Sequence, residues 1–255
     1  MSEPNRIRLQ RFIAARLSPE GEFGLHLTVG LALLLCAAWA FGTIAEDVVK
    51  GATITVIDVQ LAHWFHARAT PGFTRVMLLI THCNGIAGSS VMAAVLALWF
   101  WRRRARYWLI LTLLAVPGGM LLNVAIKNAF QRARPSFDDP LVTLATYSFP
   151  SGHTAAATVF YGLLACYLVR RVQGWGPRAL VAASACALVM VVALSRMYLG
   201  AHYLSDVLAA TAEGAAWLAI CITAVSTLHR RRLAHGGPSW SERAHLTPND
   251  KGDLV

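Results

Sequence analysis

Pro150-Ser151-Gly152-His153-Thr154-Ala155-Ala156-Ala157-Thr158-Val159-Phe160-Tyr161-Gly162-Leu163-Leu164-Ala165-Cys166-Tyr167-Leu168-Val169-Arg170 is an apolar run that begins at a short polar cluster and closes on arginine. Its span, residues 153–170, is close to the ~20 residues a helix needs to cross a bilayer. Five further runs read the same way: 25–44, 84–101, 107–126, 179–198 and 204–228. Over 255 residues the hydrophobic fraction is 56 %, the charged fraction 14 % and the mean hydropathy +0.50. A soluble domain averages about 45–50 % apolar and about 25 % charged. The chain therefore reads as an all-α polytopic membrane protein, six transmembrane helices in one bundle over residues 25–228. Residues 53–66 are too short and mixed to cross and read as an interfacial helix, ended by Thr70-Pro71-Gly72. The glycines and Pro117 within the runs are tolerated in buried membrane helices.

The net charge of +10 would suggest nucleic acid in a soluble chain, but here the basic residues fall in short clusters between apolar runs. They read as orientation signals, with no nucleic-acid partner implied. Sixteen of the 23 Lys and Arg residues lie in residues 1–24, the loops after the second and fourth spans, and the segment after the sixth; seven lie on the opposite side. The positive-inside rule puts both termini in the cytoplasm. Residues 1–24 read as a basic amphipathic segment on the inner leaflet, and 229–255 as a polar, disordered tail. Ala38-Trp39-Ala40 resembles a leader-peptidase site, but the run continues to Ile44 and the preceding segment carries Glu20 and Glu22, which favours a retained span. The five cysteines form no Cys-x-x-Cys pair, and neither a disulfide framework nor a zinc site is expected.

With that orientation, three polar clusters fall on the outer face. Lys127-Asn128-Ala129-Phe130-Gln131-Arg132-Ala133-Arg134-Pro135 follows the third span. Pro150-Ser151-Gly152-His153 opens the fourth, and Ser195-Arg196, His202 and Asp206 join the fifth to the sixth. Lys127 and Arg134 sit where the charge rule disfavours them, so they either bind an anion or snorkel to headgroups. Ser151 is a natural N-cap, and Gly152 allows a phosphate close to the free N–H groups of a helix start. His153 in the first turn would give up a proton readily. The same residues would also serve an ordinary capped helix. His202 and Asp206 are four apart and share a helical face, where a carboxylate fixes the imidazole tautomer, whether for nucleophilic attack or for structure alone.

Taken in order, Lys-x6-Arg-Pro, Pro-Ser-Gly-His and Ser-Arg-x5-His-x3-Asp resemble the signature of the type-2 phosphatidic acid phosphatase superfamily. That superfamily also holds bacterial acid phosphatases and vanadium haloperoxidases. Every signature position is filled between Lys127 and Asp206, and the six-span layout is similar to the membrane-bound lipid phosphatases. The resemblance implies that His202 is a nucleophile forming a phosphohistidine, with Asp206 orienting it. It implies that Lys127, Arg134, Arg196, Ser151 and Gly152 hold the phosphoryl oxygens while His153 protonates the leaving oxygen. Fixed cations suit the charge that a phosphoryl transition state spreads over its oxygens. No metal or cofactor is implied. The implied substrate is a membrane lipid phosphate or diphosphate: polyprenyl diphosphate, phosphatidylglycerol phosphate or phosphatidic acid. The short 136–149 loop favours broad specificity.

A lipid phosphotransferase or a vanadate-dependent oxidant would use the same pocket, whereas a transporter would place its site nearer the midplane on broken helices. Glu213, deep in the sixth span, reads as either a functional acid or a hydrogen-bonded partner inside the bundle, and Asn123 as a support for Lys127 or an interhelical pair. Trp99, Trp101, Tyr107 and Trp108 read as an aromatic belt at the inner interface.

Overall fold

The computed structural model describes residues 25–234. They form α1 (Leu25–Lys50), α2 (Thr53–His66), α3 (Pro71–Cys83), α4 (Ile86–Arg102), α5 (Arg106–Phe130), α6 (Gly152–Val169), α7 (Trp175–Tyr198) and α8 (Leu204–Ala234), with no strand among the described residues. Five of these, α1 and α5 to α8, are each long and apolar enough to cross a membrane; α3 and α4, bent by 50° at a short break, make up a sixth passage. The basic segment expected over residues 1–24 lies outside the described residues. So does the tail beyond 234. Residues 229–234, expected to belong to the disordered tail, are helical instead: α8 runs six residues past the span expected to end at 228. Arg231 and Arg232 in its last turn face the negative end of the helix dipole, which favours the extension.

The break between α3 and α4 corrects the second span. α2 ends at His66, capped by Ala67, and Thr70-Pro71-Gly72, expected to end it, instead starts α3: Thr70 is the N-cap and Pro71 the first position, where a missing N–H costs nothing. Asn84 then stops α3. Its side chain is buried, donating to the Ile80 carbonyl at 3.0 Å and accepting from the Tyr161 hydroxyl at 3.0 Å, while its own carbonyl accepts from Ser89 Oγ at 3.1 Å. Broken backbone survives at membrane depth only where neighbours satisfy it in this way.

The core runs between α5, α6 and α8, built from Leu111, Ala115, Val159, Leu163 and Val225. α1 lies along α8 so closely that a Cβ at Gly30 would stand 2.1 Å from Thr223 Oγ1. The expected aromatic belt is largely a packed cluster. The Tyr167 ring meets Phe100 at 5.0 Å and Trp108 at 5.2 Å, and Tyr107 and Ser226 share a hydroxyl hydrogen bond of 2.8 Å. Trp101, 65 % exposed, remains on the outside.

At the opposite end of the bundle the last turns of α5 and α7 meet the first turns of α6 and α8. α2 and the 131–151 loop lie against this end. Phe149 is fully buried, with its ring 5.8 Å from Phe41 and 5.0 Å from Phe130, and so anchors the residues just before α6. Phe137 holds the other part of the loop: it stacks on His66 at 4.1 Å and packs over Gly200, where a Cβ would come within 2.8 Å of its ring. Gly200 also has φ +65°, so it both ends α7 and accepts the ring.

Candidate active site

The helix ends bring the three polar clusters together. Lys127 stands in the last turn of α5, His153 in the first turn of α6, Arg196 in the last turn of α7, and Asp206 in the first turn of α8. Gln131 takes a left-handed conformation (φ +49°) and turns the chain back, so that Arg132 and Arg134 reach into the same region.

Arg134 donates from Nη1 to the Ala201 carbonyl at 2.5 Å and from Nε to the Thr146 carbonyl at 2.6 Å, and its Nη1 lies 3.3 Å from His202 Nε2. A guanidinium can only donate, so His202 Nε2 must be the acceptor and its proton must sit on Nδ1. Nδ1 lies 3.4 Å from Asp206 Oδ2, close enough to orient the ring but outside hydrogen-bond alignment. Burial pushes the imidazole pKa down to about 3, and the nearby Asp206 carboxylate, which acts in the other direction, does not overcome it. At neutral pH His202 is thus a neutral imidazole with a bare Nε2 lone pair facing a cation. That is the form a nitrogen nucleophile requires.

Asp206 is fully buried and saturated with donors. It accepts from Arg132 Nη1 at 2.6 Å, from the Tyr203 N–H at 2.9 Å and from the Ser148 hydroxyl. The Tyr203 bond is the reciprocal half of a capping box, with an acid in the first turn reaching back over the start of α8. Arg132 also binds Asp58 of α2 at 2.8 Å and Ser205 Oγ at 2.7 Å, and Asp58 in turn accepts from the Ser205 N–H at 2.9 Å and from its hydroxyl. Burial works against the Arg132 charge, but Asp206 and Asp58 outweigh it and raise its pKa. Asp58, Arg132 and Ser148 were not among the residues singled out from the sequence. Asp58 did carry a signal, as the sole acid in residues 53–66, set between Ile57 and Val59.

Lys127 Nζ donates to the carbonyls of Tyr147 at 2.7 Å and Ser148 at 3.2 Å. Arg196 is 2 % exposed; one Nη donates to Thr81 Oγ1, whereas Nε and the other Nη have no hydrogen-bond partner among the described residues. A buried guanidinium is costly unless its donors are satisfied, and these two nitrogens leave Arg196 with hydrogen-bonding capacity that an anion could fill. Ser151 occupies the N-cap position of α6, but its hydroxyl makes no capping bond. Instead it accepts from Thr154 Oγ1 at 3.1 Å, while its N–H donates to the Asp206 carbonyl at 3.1 Å. Gly152 marks a close approach of α5 and α6: a Cβ there would lie 3.0 Å from Asn123 Oδ1 and 3.8 Å from Lys127 Cε.

Asn123 pairs between helices, donating to Glu213 Oε2 at 2.9 Å, and Glu213 Oε1 has no partner among the described residues. Asn123→Ala should therefore cost about 1–3 kcal/mol by orphaning a buried carboxyl, whereas Glu213→Gln keeps an acceptor for Asn123 and should cost less. Thermal unfolding of both variants in detergent measures the difference.

Lys127, Arg134, Gly152, His153, Arg196 and His202 line one cavity of about 630 Å³. A neutral histidine held beside a buried carboxylate, facing cations at the mouth of a membrane bundle, defines an integral-membrane phosphatase. The relatives agree with that class. Residues 106–230 match the PAP2 superfamily model. The chain is 32 % identical to phosphatidylglycerophosphatase B of Bacillus subtilis over 139 residues, which is 54 % of this chain and 68 % of that protein. It is 35 % identical over 116 residues to lipid A 1-phosphatase of Rhizobium johnstonii, covering 42 % of each. The crystal structure of the transmembrane PAP2-type phosphatidylglycerolphosphate phosphatase from Bacillus subtilis superposes with a TM-score of 0.63 and 26 % identity, over 75 % of this chain and 93 % of that one. Aquifex aeolicus LpxE shares the fold, with a TM-score of 0.51 and 19 % identity over 67 % of this chain and 94 % of that one. The chain belongs to the PAP2 superfamily.

Proposed function

We propose that this protein hydrolyses the terminal phosphate of a membrane lipid through a phosphohistidine on His202, at the outer face of a membrane with both chain termini on the cytoplasmic side. The observation that carries the reading is the form of the cavity. Its polar end holds Lys127, Arg134, Arg196, His153 and His202, and its walls continue through Val124, Leu121, Met120 and Pro117 of α5. Pro117 lies ten residues from Lys127, about 15 Å along a helix, which takes the apolar walls well into the bilayer's hydrocarbon. Such a shape suits a phosphate at the water boundary whose hydrocarbon stays in the membrane.

In the first step the Nε2 lone pair of His202 attacks phosphorus, the bond from phosphorus to the lipid oxygen breaks, and His153 gives that oxygen a proton. In the second, water attacks the phosphohistidine, His153 takes a proton from it, and phosphate leaves with the N–P bond broken. Lys127, Arg134 and Arg196, with Ser151 and the Gly152 N–H, would hold the three equatorial oxygens. The positions of the donors are fixed before substrate arrives, which is where electrostatic stabilisation of a phosphoryl transition state gains most. Asp206 holds the His202 tautomer, and Arg132 with Asp58 holds Asp206.

Phosphate release by the purified protein from phosphatidylglycerol phosphate, polyprenyl diphosphate, phosphatidic acid and lipid A 1-phosphate tests the reading and ranks the substrates. Release from none of them would overturn it. Arg196→Gln should lower kcat/KM on the best substrate by about 10²–10³-fold, because the two otherwise unpartnered donors act on developing charge. A change in KM alone would mean that they bind substrate and transition state equally.

A further inference from the structure

A second chamber of about 560 Å³ adjoins the first, between the end of α3, the α3–α4 break and the 141–144 stretch of the loop. The two share Gly85, Ile86, Leu144, His153 and Arg196. Their remaining walls differ in kind. The first continues along apolar α5, whereas the second has the exposed His82 and Thr143 at its margin and the Thr81 hydroxyl, which accepts from Arg196, on its wall. His82 Nδ1 lies 2.7 Å from the Leu78 carbonyl and must donate to it, which turns Nε2 away from that carbonyl.

Gly85 lies on the boundary that the two chambers share. A Cβ there would stand 3.4 Å from His153 Nε2, with the His82 and Thr81 carbonyls each at 3.6 Å. The backbone at Gly85 (φ −70°, ψ −179°) is extended and suits any residue, so conformation does not account for the glycine. What a side chain would do is narrow the passage over the nitrogen of His153.

We propose that the second chamber is the aqueous channel of the reaction, through which water reaches the phosphohistidine and inorganic phosphate leaves, with Gly85 as its throat. This rests on the phosphohistidine reading above. Displacement at phosphorus is in line, so water must attack from the side that the lipid oxygen has just left, beside His153. On that side the first chamber carries the lipid, its walls running along apolar α5 into the hydrocarbon, so the departing lipid alcohol occupies it. The other mixes apolar residues with Thr81, His82 and Thr143 and reaches the exposed His82 and Thr143 at the surface. Water arriving through it meets His153, which takes one proton as the O–P bond forms and the N–P bond to His202 breaks.

The test separates the two half-reactions. Rapid-quench measurements with a radiolabelled lipid phosphate follow lipid alcohol release, phosphoenzyme and inorganic phosphate in wild type, Gly85→Val and Thr143→Trp. The second variant obstructs the chamber from an exposed loop position without touching the first cavity. Both variants should keep a burst of lipid alcohol matching the enzyme present, while the phosphoenzyme accumulates and its breakdown slows by at least about tenfold. If lipid alcohol and phosphate release fall together with no accumulation, or neither changes in Thr143→Trp, the channel is not there. A wild type that releases phosphate without any phosphohistidine overturns the reading of the chemistry and this inference with it. A wild type that forms one, with variants slowing both steps alike, overturns the inference alone.

Discussion

His202→Ala is expected to retain the fold and lose at least about 10³-fold in kcat, the largest effect of any single substitution in the pocket. The side chain offers a neutral nitrogen lone pair to the space between Lys127, Arg134 and Arg196, held in place by Arg134 and Asp206. Its Nε2 accepts from Arg134 at 3.3 Å and its Nδ1 side faces Asp206. Water has no comparable nucleophile to replace it. Substrate binding should survive, because the cations that grip phosphate keep their own anchors: Lys127 on two carbonyls, Arg134 on the Ala201 and Thr146 carbonyls. Asp206→Asn should lose less in kcat, since orientation is weakened while the nucleophile remains. Phosphate release in detergent, together with binding of an unreactive lipid phosphonate, separates the two effects. Full turnover by His202→Ala would remove the nucleophile from the account.

Arg132→Gln is expected to produce the largest loss of stability, about 3–5 kcal/mol, because it leaves two buried carboxylates without their cation. Asp58 is 1 % exposed and Asp206 fully buried, and Arg132 bridges them at 2.8 and 2.6 Å. The cost comes from the uncompensated charges that remain more than from the lost attraction. Arg68→Gln serves as the comparison: that arginine lies exposed over the Trp64 ring, and such a substitution should stay within about 0.5 kcal/mol. Thermal unfolding in one detergent measures both. Equal, small losses would show that the Asp58–Arg132–Asp206 network does not hold this end of the bundle together.

The sequence made the bundle legible because length and hydropathy act locally. Each span declares itself by its own composition, and the short 53–66 helix by being too brief to cross. The α3–α4 passage was hidden for a physical reason. Thr70-Pro71-Gly72 reads as a terminator, yet proline is equally suited to begin a helix, and the break at Asn84 is stabilised by Tyr161, 77 residues away. The meeting of Lys127, Arg134, His153, Arg196, His202 and Asp206 was legible through spacing and the counting of crossings. The support beneath it was not. Asp58 and Arg132 are 74 residues apart, and neither position gives a local sign that they pair. The fate of Ser151 was also beyond local reading. A serine before a helix predicts a side-chain cap, but here the hydroxyl is bound by Thr154 instead.

The most direct test of the account is to trap the enzyme during turnover of a radiolabelled lipid phosphate and map the label. The account predicts an acid-labile, base-stable phosphate on the peptide that contains His202, absent in His202→Ala. Turnover with no labelled protein, or with label on any other residue, would contradict it.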